Sequence, residues 1–140
     1  MTTINPYLIF NGNCEEAFTF YKSIFGGEFT YLGYFDEMPS EYNVPESEKQ
    51  KVMHVSLPIG ETAVLMGSDS SDSFGKASIV GTNFSISINT NEVAEAERLF
   101  ELLGTEGNIT MPLNKTFWGS YFGSLIDKFG IQWMINCAES

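Results

Sequence analysis

The stretch INPYLIFNGNCEEAFTFYKSIF, residues 4–25, places a short apolar run directly before an amphipathic segment. Apolar residues in its second half recur at helical spacing until Gly26 and Gly27 end the pattern. Asn13, with Glu16 three residues later, predicts a capping box at the start of that helix. The stretch is therefore predicted to form a strand followed by a helix.

The same order recurs in the second half of the chain. Residues 82–88 alternate between polar and apolar side chains, which predicts a half-buried strand. Asn91 is predicted to cap a second helix that Gly104 ends. The remaining strands are predicted at residues 28–35, 52–59 and 62–66 in the first half and at 108–111, 117–126 and 131–137 in the second. Both halves thus follow a βαβββ order, and we predict an α+β fold built as a tandem repeat.

The predicted boundaries are residues 1–67 for the first module, 68–81 for the linker and 82–140 for the second module. Superposing Asn13 on Asn91 puts Tyr7 on Ser85 and Asn5 on Asn83. The alternation in the second copy then assigns the faces of the first strand. Leu8 and Phe10 are predicted to pack under the helix, and Asn5, Tyr7 and Ile9 are predicted to face the other side of the sheet.

Composition limits the classes of partner. Eighteen acidic residues against seven Lys and Arg give a formal charge of −11, which repels phosphate backbones and anionic lipid surfaces. No apolar run approaches the roughly 20 residues that cross a bilayer. The start of the chain lacks the basic and apolar segments of a signal peptide. We therefore expect a cytoplasmic protein with free Cys14 and Cys137 thiols that binds neither nucleic acid nor membrane.

Short motifs spread over the whole chain carry a family resemblance. They are PYLIFNGNCEEA (6–17), FGGE (25–28), MH (53–54), MGSD (66–69), KTFWG (115–119) and DKFGIQWMIN (127–136). Together they resemble the PhnB-like branch of the vicinal oxygen chelate superfamily, which includes glyoxalase I, bleomycin and fosfomycin resistance proteins and extradiol dioxygenases. The resemblance implies paired βαβββ modules with cupped mixed sheets, each enclosing a small-molecule site, and usually a homodimer.

The resemblance also implies positions for a metal. Enzymes of that superfamily bind a divalent cation through His, Glu or Gln on the first and fourth strands of each module. These positions fall at Asn5, Met66, Asn83 and Met134 here. A thioether is a soft, weak ligand for such a cation and a neutral amide is a poor one. We therefore predict that the chain binds no metal and no other cofactor, and lacks the chemistry that depends on the metal.

Three residues could still carry chemistry. His54 is the only histidine, and the alternation of its strand places it with Ser56 on the cavity side. It is either a catalytic or ligand-binding residue or a structural one bonded to a neighbouring strand. Asp69 is either functional or a turn-forming residue. Cys14, at a helix start, is either an activated thiol or a packing residue.

Phe117, Trp118 and Tyr121 form a predicted aromatic cluster beside Lys115, which suits a planar or anionic organic ligand unless these rings belong to the core. The acidic stretch 36–51 is predicted to be an exposed loop that could close over a site. The predicted ligand-binding residues are Tyr7, His54, Met66, Asn83, Ser85, Trp118, Tyr121 and Met134.

Three kinds of function fit these features. The first is a metal-free protein that binds a small, mostly apolar organic molecule. The second is an enzyme, because many relatives of this branch are described as demethylubiquinone methyltransferases and others are metal-dependent lyases or dioxygenases. No Gly-rich turn of the kind that holds a methyl-donor nucleotide opens either helix. The third is a dimeric structural or interaction protein.

Overall fold

The computed structural model describes residues 2–72 and 77–138. The chain divides into two compact units, Met1–Ile79 and Val80–Ser140. Within the described residues, each unit contains one α-helix and one four-stranded mixed sheet. In the parts of the chain that the structure describes, no helix is long and apolar enough to cross a membrane.

The first unit carries its helix between the first two of its strands. Its elements are β1 (Tyr7–Phe10), α1 (Cys14–Phe25), β2 (Tyr31–Tyr34), β3 (Val52–Ile59) and β4 (Ala63–Asp69). The sheet order is β1-β4-β3-β2. β1 runs parallel to β4, and the other two pairs are antiparallel. Three short 3-10 turns, Phe35–Glu37, Ser40–Tyr42 and Glu46–Glu48, connect β2 to β3.

The second unit repeats this arrangement. Its elements are β5 (Ile86–Thr90), α2 (Val93–Leu103), β6 (Asn108–Lys115), β7 (Ser120–Ile126) and β8 (Gln132–Ala138). The sheet order is β5-β8-β7-β6, with β5 parallel to β8. The predicted α+β fold with a tandem βαβββ order is confirmed.

Each helix covers one face of its own sheet. Under α1, the buried side chains of β1 are Leu8 and Phe10, whereas Tyr7 and Ile9 on the other face remain about half exposed. The predicted faces are confirmed for residues 7–10, whereas Asn5 lies before β1. The alternation of side chains along a strand therefore separates a helix-covered face from an exposed face.

The predicted superposition of the two halves is wrong by two residues. The parallel registers pair Tyr7 with Met66 and Ser87 with Met134, so Tyr7 corresponds to Ser87 and not to Ser85. Two one-residue differences cause this error: the cap position of α2 is Glu92 rather than Asn91, and the link between strand and helix is one residue longer before α1 than before α2. β5 begins at Ile86 rather than at residue 82, and both Asn83 and Ser85 precede it.

Neither predicted asparagine cap forms. Asn13 occupies the cap position of α1 without a side-chain cap hydrogen bond, and the cap position of α2 is Glu92 rather than Asn91. The Asp69 carboxylate instead accepts the N–H of Cys14, the first residue of α1, and the N–H of Gly12 in the preceding link, both at 2.9 Å. A carboxylate at the end of β4 therefore replaces the local cap.

The stretch 36–51 is not a uniformly exposed loop. Its three 3-10 turns include Glu48, which is only 3% exposed. The Glu48 carboxylate accepts the Ser71 hydroxyl and the Asp72 N–H, the latter at 2.8 Å. These bonds fasten the segment to the chain that follows β4.

Candidate functional site

The exposed face of the first sheet gathers residues from all four of its strands. Tyr7 on β1 lies directly beside Met66 on β4, and Met66 lies beside Ser56 on β3. His54 projects from the same face of β3 as Ser56, because residues two apart on a strand share a face. We call Tyr7, Tyr31, His54, Ser56 and Met66 the His54 cluster.

Hydrogen bonds link three members of the His54 cluster in a chain. The Tyr7 Oη lies 3.3 Å from His54 Nδ1, and His54 Nε2 lies 2.9 Å from Ser56 Oγ. Both imidazole nitrogens therefore have a hydroxyl partner. An imidazole with this arrangement can pass a proton or orient a hydroxyl group.

Two tyrosine rings flank the imidazole. The ring centroid of His54 lies 5.6 Å from that of Tyr7 and 5.8 Å from that of Tyr31. The two tyrosines remain 45% and 46% exposed. Their open faces can stack on a planar molecule.

Tyr31 is a site residue that the sequence analysis did not find. Its hydroxyl lies over Gly33, where a Cβ atom would stand 2.5 Å from Tyr31 Oη and 2.6 Å from Glu37 Oε2. Gly33 is the direct neighbour of His54 across the β2–β3 pair. A glycine inside a strand is a sign of close approach, and this one could have indicated the position of Tyr31.

The second sheet also has an exposed face, which carries Met134. Met134 pairs with Ser87 on β5 and Ser124 on β7. Two residues further along β8, Asn136 Nδ2 donates to Asn89 Oδ1 on β5 at 3.3 Å. The structure thus places Met134 among small polar side chains, whereas Asn83 and Ser85 lie before the first strand of this sheet.

The predicted aromatic cluster differs from the one that forms. Phe117 and Trp118 pack edge to face with their ring centroids 4.9 Å apart, and Trp118 contacts Phe122 at 6.2 Å. Tyr121 lies on the opposite face of β7, the face of the buried Leu125. The cluster therefore contains Phe122, and Tyr121 is left out of the candidate site.

The four implied metal positions do not offer a set of donors that fits Zn²⁺, Ni²⁺ or Mg²⁺. The Asn5 Oδ1 already accepts the N–H of Val64 at 3.1 Å, and Met66 and Met134 offer only thioethers. Within residues 2–72 and 77–138 there is no group of three His, Cys, Asp or Glu side chains placed to share an ion. We derive no chemical step through a metal.

Asp69 and Cys14 serve the structure of the first unit. The buried Asp69 carboxylate accepts the N–H groups of Gly12, Cys14 and Val52, all at 2.9 Å. Cys14 is fully buried, and burial, together with the nearby charges of Asp69 and Glu15, raises the pKa of its thiol. Because a reactive cysteine needs a lowered pKa, the activated-thiol alternative for Cys14 is wrong.

A separate open pocket of about 300 Å³ lies in the segment between β2 and β3. Its lining shares no residue with the His54 cluster. The lining residues are Phe35, Asp36, Met38, Pro39, Ser40, Asn43, Val44 and Lys49. The Lys49 ammonium is paired with the Glu46 carboxylate at 2.7 Å, so the cation at this pocket already has a partner.

Comparison with solved structures identifies the class of fold. A glyoxalase/bleomycin resistance protein/dioxygenase family enzyme from Burkholderia phytofirmans PsJN superposes with a TM-score of 0.62 over 96% of each chain. Its sequence is 13% identical, so this likeness shows the fold alone. The chain therefore has the vicinal oxygen chelate fold.

More similar proteins share most of their length with this chain. Protein PA1353 from Pseudomonas aeruginosa is 42% identical, with a TM-score of 0.85 over the whole of both chains. A protein from Bacillus cereus described as a putative 3-demethylubiquinone-9 3-methyltransferase, PhnB protein, is 26% identical, with a TM-score of 0.78 over 98% of this chain and 100% of that one. Protein YjdN from Escherichia coli (strain K12) is 37% identical over 97% of this chain and 95% of its own.

A family model described as 3-demethylubiquinone-9 3-methyltransferase matches residues 2–136. The chain belongs to this family. The resemblance drawn from the sequence motifs is confirmed for the family and for the fold.

Proposed function

We propose that the chain binds a small, mostly apolar organic molecule at the His54 cluster and does so without a metal. The observation that supports this proposal is the pair of half-exposed tyrosine rings on either side of a hydrogen-bonded imidazole. Aromatic faces supply most of the contact area in small-molecule sites, and a few placed polar groups fix the orientation. The Met66 thioether adds a side chain that adapts to an irregular shape.

A screen by methionine-methyl NMR tests this proposal. With 13C-methyl methionine, a library of small aromatic and alicyclic compounds is expected to include some that shift the Met66 signal. Met38, in the separate pocket, serves as the internal control. Tyr7→Ala is expected to abolish the Met66 response, whereas Ile9→Ala, on the same exposed face of β1, is expected to keep it. A library in which no compound shifts Met66 would refute the proposal.

A methyltransferase activity is the second candidate, and the family description favours it. Such an enzyme must bind a methyl donor, so S-adenosylmethionine should bind measurably by isothermal titration calorimetry. We expect no binding heat, because neither helix begins with a Gly-rich turn that could hold the nucleotide. Binding with a micromolar Kd would favour the methyltransferase over the metal-free binding protein.

We also propose that the protein is a cytoplasmic homodimer that binds neither nucleic acid nor membranes. The formal charge of −11 supports the last two points, and the family resemblance supports the dimer. Light scattering after size exclusion should give twice the 15.6 kDa chain mass. A monomer at micromolar concentration would contradict the dimer, and it would also count against the third candidate, a dimeric interaction protein.

A further inference from the structure

The hydrogen bonds that link Tyr7, His54 and Ser56 leave one polar hydrogen of these three side chains without an acceptor among them. A neutral imidazole carries one N–H, and Tyr7 and Ser56 carry one O–H each. These three hydrogens serve two bonds, Tyr7 to His54 Nδ1 and His54 Nε2 to Ser56. Whichever nitrogen of His54 holds its hydrogen, one hydroxyl hydrogen is left to donate to a further group.

The direction of these two hydrogen bonds decides which hydroxyl hydrogen remains free to donate to a further group. With hydrogen on Nε2, Tyr7 donates to Nδ1, Nε2 donates to Ser56, and the Ser56 O–H points outward. With hydrogen on Nδ1, both bonds reverse and the Tyr7 O–H points outward. A phenol is a stronger donor than an aliphatic alcohol, so Tyr7 donates to His54 and the first direction is favoured.

The charges around the His54 cluster favour a neutral partner for this hydroxyl. The Glu37 carboxylate and the Tyr31 hydroxyl approach the same point above Gly33, the cross-strand neighbour of His54. An anionic ligand would meet this carboxylate in addition to the overall charge of −11. A neutral carbonyl oxygen accepts a hydrogen bond without that repulsion.

We infer that Ser56 is the specificity-determining donor of this site and that it selects small planar molecules bearing a neutral carbonyl oxygen. This inference rests on the proposed function of the His54 cluster as a binding site. Tyr7 and Tyr31 provide ring faces for the planar body, and His54 acts as the positioning residue that turns the Ser56 hydroxyl outward. Carbonyl binding therefore stabilises the Nε2–H form of His54.

The single histidine makes the test direct, since a 15N-histidine sample gives one pair of imidazole nitrogen signals. Acetophenone is the probe, and ethylbenzene, which lacks the carbonyl oxygen, is the matched control ligand. We expect acetophenone to bind about 3- to 10-fold more tightly than ethylbenzene, the difference that one hydrogen bond supplies. Only acetophenone should raise the proportion of the Nε2–H form.

Three variants distinguish a specific role of Ser56 from a general effect of substitution. Ser56→Ala should reduce the preference for acetophenone towards one, whereas Ser68→Ala, on the same face of β4 as Met66, should keep the full preference. Tyr7→Phe should shift His54 towards its Nδ1–H form and lower the preference, because Ser56 can then donate to Nε2. A purely structural Ser56 would leave these nitrogen signals unaffected by the choice of ligand.

The results with the two ligands distinguish a failure of the role of Ser56 from a failure of the proposed binding site. If both ligands shift the Met66 methyl signal with equal affinity and the imidazole signals do not change, the binding site stands and the role of Ser56 is refuted. If neither ligand shifts the Met66 signal but other compounds do, carbonyl selection is likewise refuted. If no compound shifts it, the proposed function fails as well.

Discussion

One buried carboxylate in the first unit joins three separate pieces of chain. Asp69, the last residue of β4, accepts N–H groups from Gly12 in the link before α1, from Cys14 at the start of α1 and from the first residue of β3. The second unit uses Asp127 in a related way, with Oδ1 accepting the N–H groups of Phe129 and Ile131 and Oδ2 accepting the Trp133 indole N–H. Bonds from N–H groups to a buried carboxylate are among the stronger hydrogen bonds in proteins.

Asp69→Asn is expected to lower the free energy of unfolding by about 2–4 kcal/mol, because an amide NH₂ must then face a backbone N–H that has lost its acceptor. Urea denaturation followed by circular dichroism measures the change. Asp72→Asn makes the same substitution at an exposed neighbouring position and should change stability by less than about 0.5 kcal/mol. Equal effects of the two substitutions would contradict the structural role of Asp69.

Gly33→Ala is expected to move Tyr31 without unfolding the protein. The new methyl group would stand 2.5 Å from Tyr31 Oη and 2.6 Å from Glu37 Oε2, and both atoms are at the ends of flexible side chains. The Tyr31 ring should therefore leave its contact with His54, while stability falls by no more than about 1 kcal/mol. The His54 ring-proton chemical shifts report this movement, and Tyr31→Phe, which removes the hydroxyl but keeps the ring, should change them less.

The helices could be predicted from sequence almost to the residue, because apolar periodicity and a terminal glycine are local signals. Both α1 and α2 end directly before the predicted Gly26 and Gly104. Four of the five residues of the His54 cluster were also predictable. Strand alternation puts His54 and Ser56 on one face and Tyr7 on the exposed face of β1, and Met66 was among the predicted ligand-binding residues. Asp69 as a cap and Tyr31 as a site residue were not predictable, because their partners come from distant strands and turns whose register the sequence does not encode locally.

The close approach of α1 to its sheet depends on a glycine in β4. A Cβ atom at Gly67 would stand 2.6 Å from the Phe18 ring and 2.8 Å from the Leu8 carbonyl oxygen, and the latter is backbone that cannot move freely. Gly67→Ala should therefore cost about 1–3 kcal/mol of stability, measured by urea denaturation. Gly81→Ala is the control, since its Cβ would meet only Asn83 Oδ1 at 3.6 Å. If Gly67→Ala left the stability unchanged, α1 would have to pack farther from β4 than it does in this structure.

The segment between β2 and β3 should loosen in acid. Hydrogen bonds from Ser71 and Asp72 hold the pKa of Glu48 below its usual range, so the folded state binds the proton of this carboxyl less readily than the unfolded state does. The stabilisation is therefore present above the ordinary pKa of glutamate, about 4.3, and is lost as the pH falls through the lower pKa of the folded state.

The Glu48→Gln variant checks this pH dependence. It should be less stable than the parent protein at pH 7, and the difference should shrink below about pH 4, where the parent carboxyl also becomes neutral. Urea denaturation at a series of pH values measures it. Glu46→Gln, whose carboxylate is exposed and pairs with Lys49 at the surface, should show little difference at any pH. If Glu48→Gln were less stable than the parent protein by the same amount at every pH, the lowered pKa of Glu48 in the folded state would be contradicted.

The chain as a whole combines a strongly acidic composition with exposed sheet faces that carry few charges. The acidic side chains that the structure describes lie on helices, in turns and at strand ends, where Glu48, Asp69 and Asp127 are already hydrogen-bonded to other groups. The side chains at the implied metal positions are amides and thioethers. Net charge therefore says little about cation binding, because the carboxylates in the described part of the chain are hydrogen-bonded to other groups or do not gather into a group of three that could share an ion.

We predict that the purified protein retains no Zn²⁺, Ni²⁺ or Mg²⁺. After dialysis against EDTA and then against buffer containing one equivalent of Zn²⁺, plasma mass spectrometry should find far less than one ion per chain, and the melting temperature should be unchanged by the metal. The physical reason is that thioethers bind these cations weakly and the Asn5 oxygen is already bonded to Val64 N–H. His54→Ala controls for adventitious binding, since the imidazole is the strongest available ligand for Zn²⁺. One tightly held ion per chain after this treatment would refute the prediction, and its loss in His54→Ala would place that ion at the His54 cluster.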